Sequence, residues 1–326
     1  MKRKRSLVLI GAGQIGSRHL QAMSLSANEW VVYVVDPILN SLELSRKRWL
    51  EVKTKMNNVE VSFSHSLLSN LKHVDVAIIA TDAAHRLTAL LNLLTTCTPT
   101  HLILEKVLFQ SLAEIEEAKY LLKNQNIKTY VNCPRRMYPF YSTMQTLLAK
   151  ESYVNMTVKG TNWDMACNGI HHLDLWCYLT GEINIEINAS HLLSKLISGK
   201  RNNTQEIFGS LTAKNNLSNL TMSSEQDTLT RQYTIKISSP NYEIEIDEPN
   251  RMIHTFRCPD DKKLPKQLTV LFQSQLTHLV VDNMIDTGQC ELTDLNDSAT
   301  IHQHFLISLL GHFQSIDPTI QKCPIT

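Results

Sequence analysis

The stretch Ser6-Leu7-Val8-Leu9-Ile10-Gly11-Ala12-Gly13-Gln14-Ile15-Gly16 decides how the first half of the chain is read. Its first five residues are a short apolar run of strand type, and the glycines follow without a gap before a helical stretch from Ser17 to about Leu25. Strand, glycine turn and helix in that order have a physical logic. The first glycine permits a tight turn, the second lets backbone amides approach a pyrophosphate, and the third lets helix and strand pack closely. The helix N-terminus then attracts phosphate. A second apolar run, Trp30 to Val35, ends in Asp36, which stands 20 residues beyond Gly16. A carboxylate there accepts hydrogen bonds from ribose hydroxyls and repels a 2′-phosphate, so NAD is expected in preference to NADP. The other reading of Asp36 is a surface acid starting the turn at Pro37. Gly11, Gly13, Gln14, Ile15, Gly16 and Asp36 are the first candidate cofactor contacts.

The alternation continues outward from this unit. Strands are expected over Val74 to Ala80, His101 to Leu104 and Lys128 to Val131, with helices over Ala83 to Leu94 and Leu112 to Lys123. Repeated strand and helix imply a doubly wound parallel sheet of Rossmann type, whose ligands lie past the carboxyl ends of the strands. Three tripeptides fall there: Ala80-Thr81-Asp82, Glu105-Lys106-Val107 and Asn132-Cys133-Pro134. After Pro139 the pattern changes. A helix is expected over Tyr141 to Ala149, a strand over Tyr153 to Lys159, and a helix from about Gly169 to Leu179 closed by Gly181. From Ile183 to Cys258 the chain reads mostly as strands with one apolar and one polar face. The clearest hairpin pairs Tyr233, Ile235 and Ile237 with Tyr242, Ile244 and Ile246 across Ser238-Ser239-Pro240-Asn241. Helices return over Lys266 to Asp286 and Ser298 to Gln314. The expectation is therefore an α/β Rossmann domain over 1–135, then an α+β domain over 136–326 with a large, open, mostly antiparallel sheet.

Composition narrows the partners. The chain has 326 residues, 43% hydrophobic and 19% charged, with a net charge of +1. This is a globular balance without the electrostatic footprint of a nucleic-acid or anionic-membrane binder. The basic tetrad Lys2 to Arg5 reads as a solvated terminus. No apolar run is long enough to span a membrane and no signal peptide is visible, so a cytoplasmic protein is expected. The seven cysteines (Cys97, Cys133, Cys167, Cys177, Cys258, Cys290, Cys323) show no Cys-x-x-Cys spacing and read as reduced thiols. No metal site is expected: there is no His-Glu-x-x-His, and His302 and His304 point to different sides of a helix.

In the second half, Trp163-Asp164-Met165-Ala166-Cys167-Asn168-Gly169-Ile170-His171-His172-Leu173-Asp174 stands out. With a helix from Gly169, a step of about 100° per residue puts His171, Asp174 and Tyr178 on a polar stripe and His172, Leu175, Trp176 and Leu179 on an apolar one. His171 and Asp174 read either as chemistry or as a satisfied core histidine and a helix-surface acid. His172 reads as core packing.

Taken together, these residues resemble the Gfo/Idh/MocA family of oxidoreductases, named for glucose-fructose oxidoreductase and inositol dehydrogenase. The resemblance rests on Gly11 to Gly16, Asp36, Thr81 with His85, Glu105-Lys106-Val107, Asn132 through Arg136 and Gly169 to Asp174, with Gln273 to Met284 and Glu291-Leu292 similar to the family's ending. Two positions depart from it. Val107 stands where the family commonly has proline, and Cys167 where it has the acid four residues before the histidine.

The resemblance implies hydride transfer between a nicotinamide and a secondary alcohol of a sugar, cyclitol or nucleotide-linked sugar. Lys106 stabilises developing alkoxide, His171 is the base, and Asp174 substitutes for the missing acid. Thr81, His85 and Glu105 join the candidate cofactor contacts; Asn132, Arg135, Arg136 and Asn168 are candidate substrate contacts. The arginines suit a phosphorylated or nucleotide-linked sugar, or else they pair with acids. A homodimer or homotetramer formed through the open sheet is implied as well. A non-catalytic NAD(H) sensor on the same fold is the alternative that Cys167 keeps open; an S-adenosylmethionine methyltransferase would leave Lys106 and His171 without a role.

Overall fold

Uninterrupted apolar runs followed by turn residues become buried strands, and their order along the chain sets the architecture. The computed structural model describes residues 3–53, 58–226, 232–259 and 264–326. The first half runs β1 (Arg5–Ile10), α1 (Gly16–Met23), β2 (Trp30–Val35), α2 (Leu39–Val52), β3 (Val59–Ser64), β4 (His73–Ile79), α3 (Ala83–Thr96), β5 (Thr98–Glu105), α4 (Leu112–Asn124) and β6 (Lys128–Asn132). A short 3-10 turn over Pro134–Met137 leads into α5 (Pro139–Leu148), β7 (Asn155–Thr161) and α6 (Met165–Thr180). Then come β8 (Glu186–Leu192), β9 (Ile197–Ser198), β10 (Gln205–Glu206), β11 (Gly209–Lys214), β12 (Asn219–Glu225), β13 (Tyr233–Ser238), β14 (Glu243–Asp247) and β15 (Met252–Arg257). The chain closes with α7 (Gln273–Thr287), β16 (Thr293–Asp294) and α8 (Leu295–Ile316).

Contacts divide the chain into two units. The first holds Met1–Phe109, Ala113–Asn132 and Leu271–Asn296; the second holds Gln110–Leu112, Cys133–Val270 and Asp297–Thr326. The continuous 136–326 domain expected above is therefore interrupted, because α7 packs on α1 and β16 pairs with β6 in the first unit. The first sheet has the strand order β16-β6-β5-β4-β1-β2-β3, parallel throughout except for β16. The order reverses between β1 and β4, which puts the glycine turn beside Ala80-Thr81 at the switch point where such sheets bind ligands. In the second unit the sheet order is β15-β14-β13-β7-β12-β11-β8, antiparallel except for β7 with β12. The expected hairpin is present, with Ile235 opposite Ile246 and Ile237 opposite Ile244.

Two helix starts differ from the sequence reading for a tertiary reason. Helix α6 starts at Met165, not Gly169, because Asp164 takes a left-handed conformation (φ 59°) and the Glu206 carboxylate accepts the Ala166 amide at 2.8 Å. A cap supplied from 40 residues away leaves no local signature. Helix α7 starts at Gln273, not Lys266. The Lys266 carbonyl and the Leu268 amide pair with β15 and its preceding turn, through Ile253 and Arg251, so this stretch is extended. Helix α2 and strand β3 have no counterpart in the reading, although Val59, Val61 and Phe63 do alternate with polar residues.

All seven cysteines are free. Among the described residues no helix is long and apolar enough to cross a membrane. Of the basic tetrad, Lys2 lies outside the described residues; Arg3 and Arg5 stand 3.6 and 3.8 Å from the Asp75 carboxylate. Residues 227–231, inside the segment expected as strands, are also outside the described set.

Candidate functional site

The three glycines of the first turn do different work. Gly11 has φ +93°, and a Cβ on it would lie 2.8 Å from the Ala80 carbonyl carbon. A Cβ on Gly16 would lie 1.8 Å from the Gly11 oxygen. Both positions are closed by backbone packing. At Gly13 a Cβ would meet nothing within 4 Å, so this face of the turn is open to a ligand. Asp36, buried at the end of β2, accepts the Ala12 amide at 2.7 Å through one oxygen and the Ile38 amide at 2.8 Å through the other. It thus starts the turn after Pro37, as one of its two readings had it, but from a buried place against the glycine turn. Thr81, whose amide borders Gly11, has a buried hydroxyl with no hydrogen-bond partner among the described residues. Open space at Gly13, a carboxylate behind the turn and an orphaned hydroxyl beside it fit a dinucleotide.

Gln14 is exposed and Ile15 half-buried at the N-terminus of α1. The sequence reading missed Arg48 of α2, which donates to the Gln14 carbonyl at 3.0 Å and to the Ser17 hydroxyl at 2.6 Å, bringing a cation to this turn. His85 is exposed, with Nδ1 2.6 Å from Asp82, the residue that caps α3.

At the end of β5, Glu105 is buried rather than turned to a ligand. Its Oε1 stands 2.9 Å from His19 Nε2 and accepts from the Asn132 amide. His19 Nδ1 contacts the Thr277 hydroxyl at 2.8 Å, and Asn132 also donates to Gln273 at 2.9 Å. Burial works against ionisation of Glu105, but the His19 hydrogen bond and charge, the Asn132 amide and the Arg86 charge outweigh it and hold the carboxyl below its usual range. The expected cofactor contact by Glu105 and substrate contact by Asn132 are therefore corrected: both side chains are engaged in the interior of the first unit, where they anchor the strand end that carries Lys106. Arg86, 1% exposed, donates to the Val107 carbonyl, the Leu108 carbonyl at 2.8 Å and the Thr81 carbonyl. The Lys106–Val107 peptide is cis.

In the second unit, α6 presents His171 half-buried and Asp174 buried. The Arg136 guanidinium grips Asp174 through both oxygens at 3.1 and 3.0 Å and lies over the Tyr178 ring, 4.8 Å from its centre. The polar stripe is real, but Arg136 covers it and Asp174 is not a surface acid. Arg135 pairs with Glu248 in the same forked way. Both arginines are thus engaged by partly or wholly buried carboxylates, which replaces the expectation that they await a diphosphate. Asn168 donates to the Trp163 carbonyl at 2.9 Å, and the Cys167 thiol meets the Thr326 carbonyl. The apolar stripe is buried throughout, and His172 within it bonds the Tyr233 hydroxyl beside Trp163. Burial first, and then the Arg135 charge, push the His172 imidazole well below its ordinary range. His19, Arg86, Glu248 and Glu206 escaped the sequence reading, and Tyr233 was read only as a strand residue, because these contacts join residues that no periodic pattern links.

Comparison with known proteins fits this geometry. Residues 5–133 match the Gfo/Idh/MocA oxidoreductase family, NAD-binding Rossmann fold. No curated protein matches the chain in sequence. Among solved structures, UDP-N-acetylglucosamine 3-dehydrogenase from Acidithiobacillus ferrooxidans superposes with a TM-score of 0.66 at 15% identity, covering 94% of this chain and 97% of that one. Scyllo-inositol dehydrogenase from Lactobacillus casei gives 0.64 at 13% identity, covering 97% and 98%. Biliverdin reductase from Synechocystis gives 0.66 at 9% identity, covering 93% and 97%. At these identities the likeness concerns the fold, and three different named substrates share it. Residues 5–133 of the first unit thus carry the NAD-binding Rossmann fold that this oxidoreductase family model describes, and the chain as a whole shares the two-domain fold of these solved structures.

Proposed function

We propose that this protein is an NAD-dependent oxidoreductase that moves a hydride to or from a secondary alcohol carbon of a sugar or cyclitol. The observation that carries the reading is in the first unit: an open Gly13 face flanked by Asp36 and the orphaned Thr81 hydroxyl, with Lys106 at the end of the anchored strand β5. When bound there, NAD supplies the hydride acceptor. The Lys106 ammonium stabilises the alkoxide that forms as the hydroxyl proton leaves, and His171 accepts that proton. Asp174, fixed by Arg136, holds a negative charge one turn along α6 from His171.

The sugar or cyclitol is supported by the family of residues 5–133 and by likeness to the sugar-nucleotide and inositol dehydrogenases. A nucleotide-linked sugar keeps the first of these as its support, since Arg135 and Arg136 already hold carboxylates. The test is reduction of bound NAD followed by absorbance across a panel of free sugars, cyclitols, sugar phosphates and nucleotide sugars. One class should turn over, and Lys106→Met and His171→Ala should each lower turnover by about 10²-fold or more with NAD binding intact, while Cys167→Ser is tolerated. Tight NAD binding without turnover of any alcohol would favour the sensor alternative. Full activity in Lys106→Met would overturn the mechanism.

A further inference from the structure

Helix α3 is largely apolar, with Leu87, Leu90, Leu91, Leu93 and Leu94 along it, yet Arg86 is almost wholly buried in its first turn. Taking a guanidinium out of water is unfavourable unless its donors and its charge are answered. Its two terminal nitrogens and its charge are. The donors end on main-chain carbonyls of two separate strand ends: Thr81, just past β4, and Val107 with Leu108, just past β5. The charge faces Glu105, whose carboxylate His19 and Asn132 hold in place. Lys106 therefore sits between two pinned neighbours, Glu105 on one side and Val107 on the other. Val107, Leu108 and Phe109 are fully buried, so the turn has no solvent to satisfy the carbonyls that Arg86 takes.

We propose that Arg86 is the positioning residue for Lys106: its guanidinium clamps the turn that carries the lysine and ties it to Thr81 on the cofactor side. The proposal rests on the oxidoreductase reading only in giving Lys106 a reacting partner; the clamp itself is a property of the first unit. A proline at position 107 would restrain the turn through its own fixed φ. In this chain Val107 imposes no such restraint, and a side chain from the neighbouring helix supplies it. Arg86 is too deeply buried to touch substrate, so its effect is on the placement of Lys106. A lysine displaced by about 1 Å from its productive position costs about 10²-fold in turnover.

The test compares Arg86→Met, Arg86→Lys and the double variant Arg86→Met with Val107→Pro against the wild type. Amide hydrogen exchange over residues 105–109 reads the clamp without any substrate, and kcat, KM and NADH affinity read its consequence. In Arg86→Met, exchange across 105–109 should rise about tenfold or more while the core strands β1 and β4 keep their protection. In the same variant kcat should fall about 10²-fold, with KM and NADH affinity changed by less than about threefold. Val107→Pro should recover part of both losses, which a merely space-filling arginine would not allow. Should Arg86→Met fail to fold, Arg86→Lys retains the charge opposite Glu105 with fewer carbonyl contacts and should show the same pattern in weaker form. Unchanged exchange over 105–109, a rise in exchange with kcat unaltered, or a KM effect in place of a kcat effect would each overturn the assignment. A wild type that binds NAD but oxidises no alcohol would defeat the oxidoreductase reading, and the exchange result would still decide the clamp.

Discussion

Asp36 holds the glycine turn from behind through the Ala12 amide while starting the next turn through the Ile38 amide, so one carboxylate sets both the shape of the cradle and its charge. Its replacement by Ala should weaken NAD binding by about tenfold or more, since hydrogen bonds to a charged group are worth about 1.5–3 kcal/mol. Discrimination against NADP should relax as well, because the charge that repels a 2′-phosphate is gone. Titration calorimetry with both dinucleotides checks this; tighter binding of NADP than NAD by the wild type would contradict the role. His172 makes a different residue-scale prediction. Its folded state is neutral because burial and Arg135 hold its pKa well below the ordinary value, whereas an unfolded histidine titrates near 6.5. Below about pH 6.5 the unfolded chain therefore binds a proton that the folded chain refuses, and stability falls as pH drops toward the folded pKa. The loss is about 1.4 kcal/mol per pH unit for this group. His101, His278, His304 and His312 are also lowered by burial and add to the trend. Denaturation midpoints between pH 7.5 and about 5.5 should fall in the wild type, and more shallowly in His172→Gln, which keeps a polar partner for Tyr233 without the titration.

The 3-10 turn Pro134–Met137 and α6 are joined by the forked Arg136–Asp174 pair, whose carboxylate side chain is 2% exposed. Removing one partner of such a pair leaves a buried charge, so Asp174→Asn should cost about 3 kcal/mol in chemical denaturation. Replacing both partners with apolar residues of similar volume should recover much of that loss. A loss within about 0.5 kcal/mol of zero in the single variant would show that the pair is not load-carrying for α6. This element also shows where the sequence was readable. The polar stripe of His171, Asp174 and Tyr178 follows from a 3.6-residue period and is present. The true start of α6 is not readable, since Glu206 supplies its cap from another strand. Strands β1, β2, β4 and β5 were legible because each carries an apolar run that ends at a change to polar or turn residues, and the glycine turn was legible because its spacing is a backbone requirement. The anchors of Lys106 were not. Nothing local in Arg86 or His19 announces that their acceptors lie 21 and 86 residues further on.

At the scale of the whole chain, the first unit is completed only by residues from near the end. Helix α7 buries Leu276, Val280, Val281 and Met284, and its Thr277 and Gln273 meet His19 and Asn132. Its Asp282 accepts from the Ser26 hydroxyl at 2.7 Å and the Asn28 amide at 3.1 Å. Burying four such side chains contributes roughly 2 kcal/mol each, about 8 kcal/mol together. That is comparable with the entire net stability of a typical domain, about 5–15 kcal/mol. A fragment ending at residue 135 contains every glycine of the turn together with Asp36, Thr81 and Lys106, yet should fail to fold stably or to bind NAD. Joining residues 271–296 to that fragment through a flexible linker should restore both. Circular dichroism melting and NAD titration of the two fragments decide the matter: cooperative unfolding and wild-type NAD affinity in the shorter one would show that the N-terminal sequence is sufficient and that α7 is an accessory to the unit rather than part of its core.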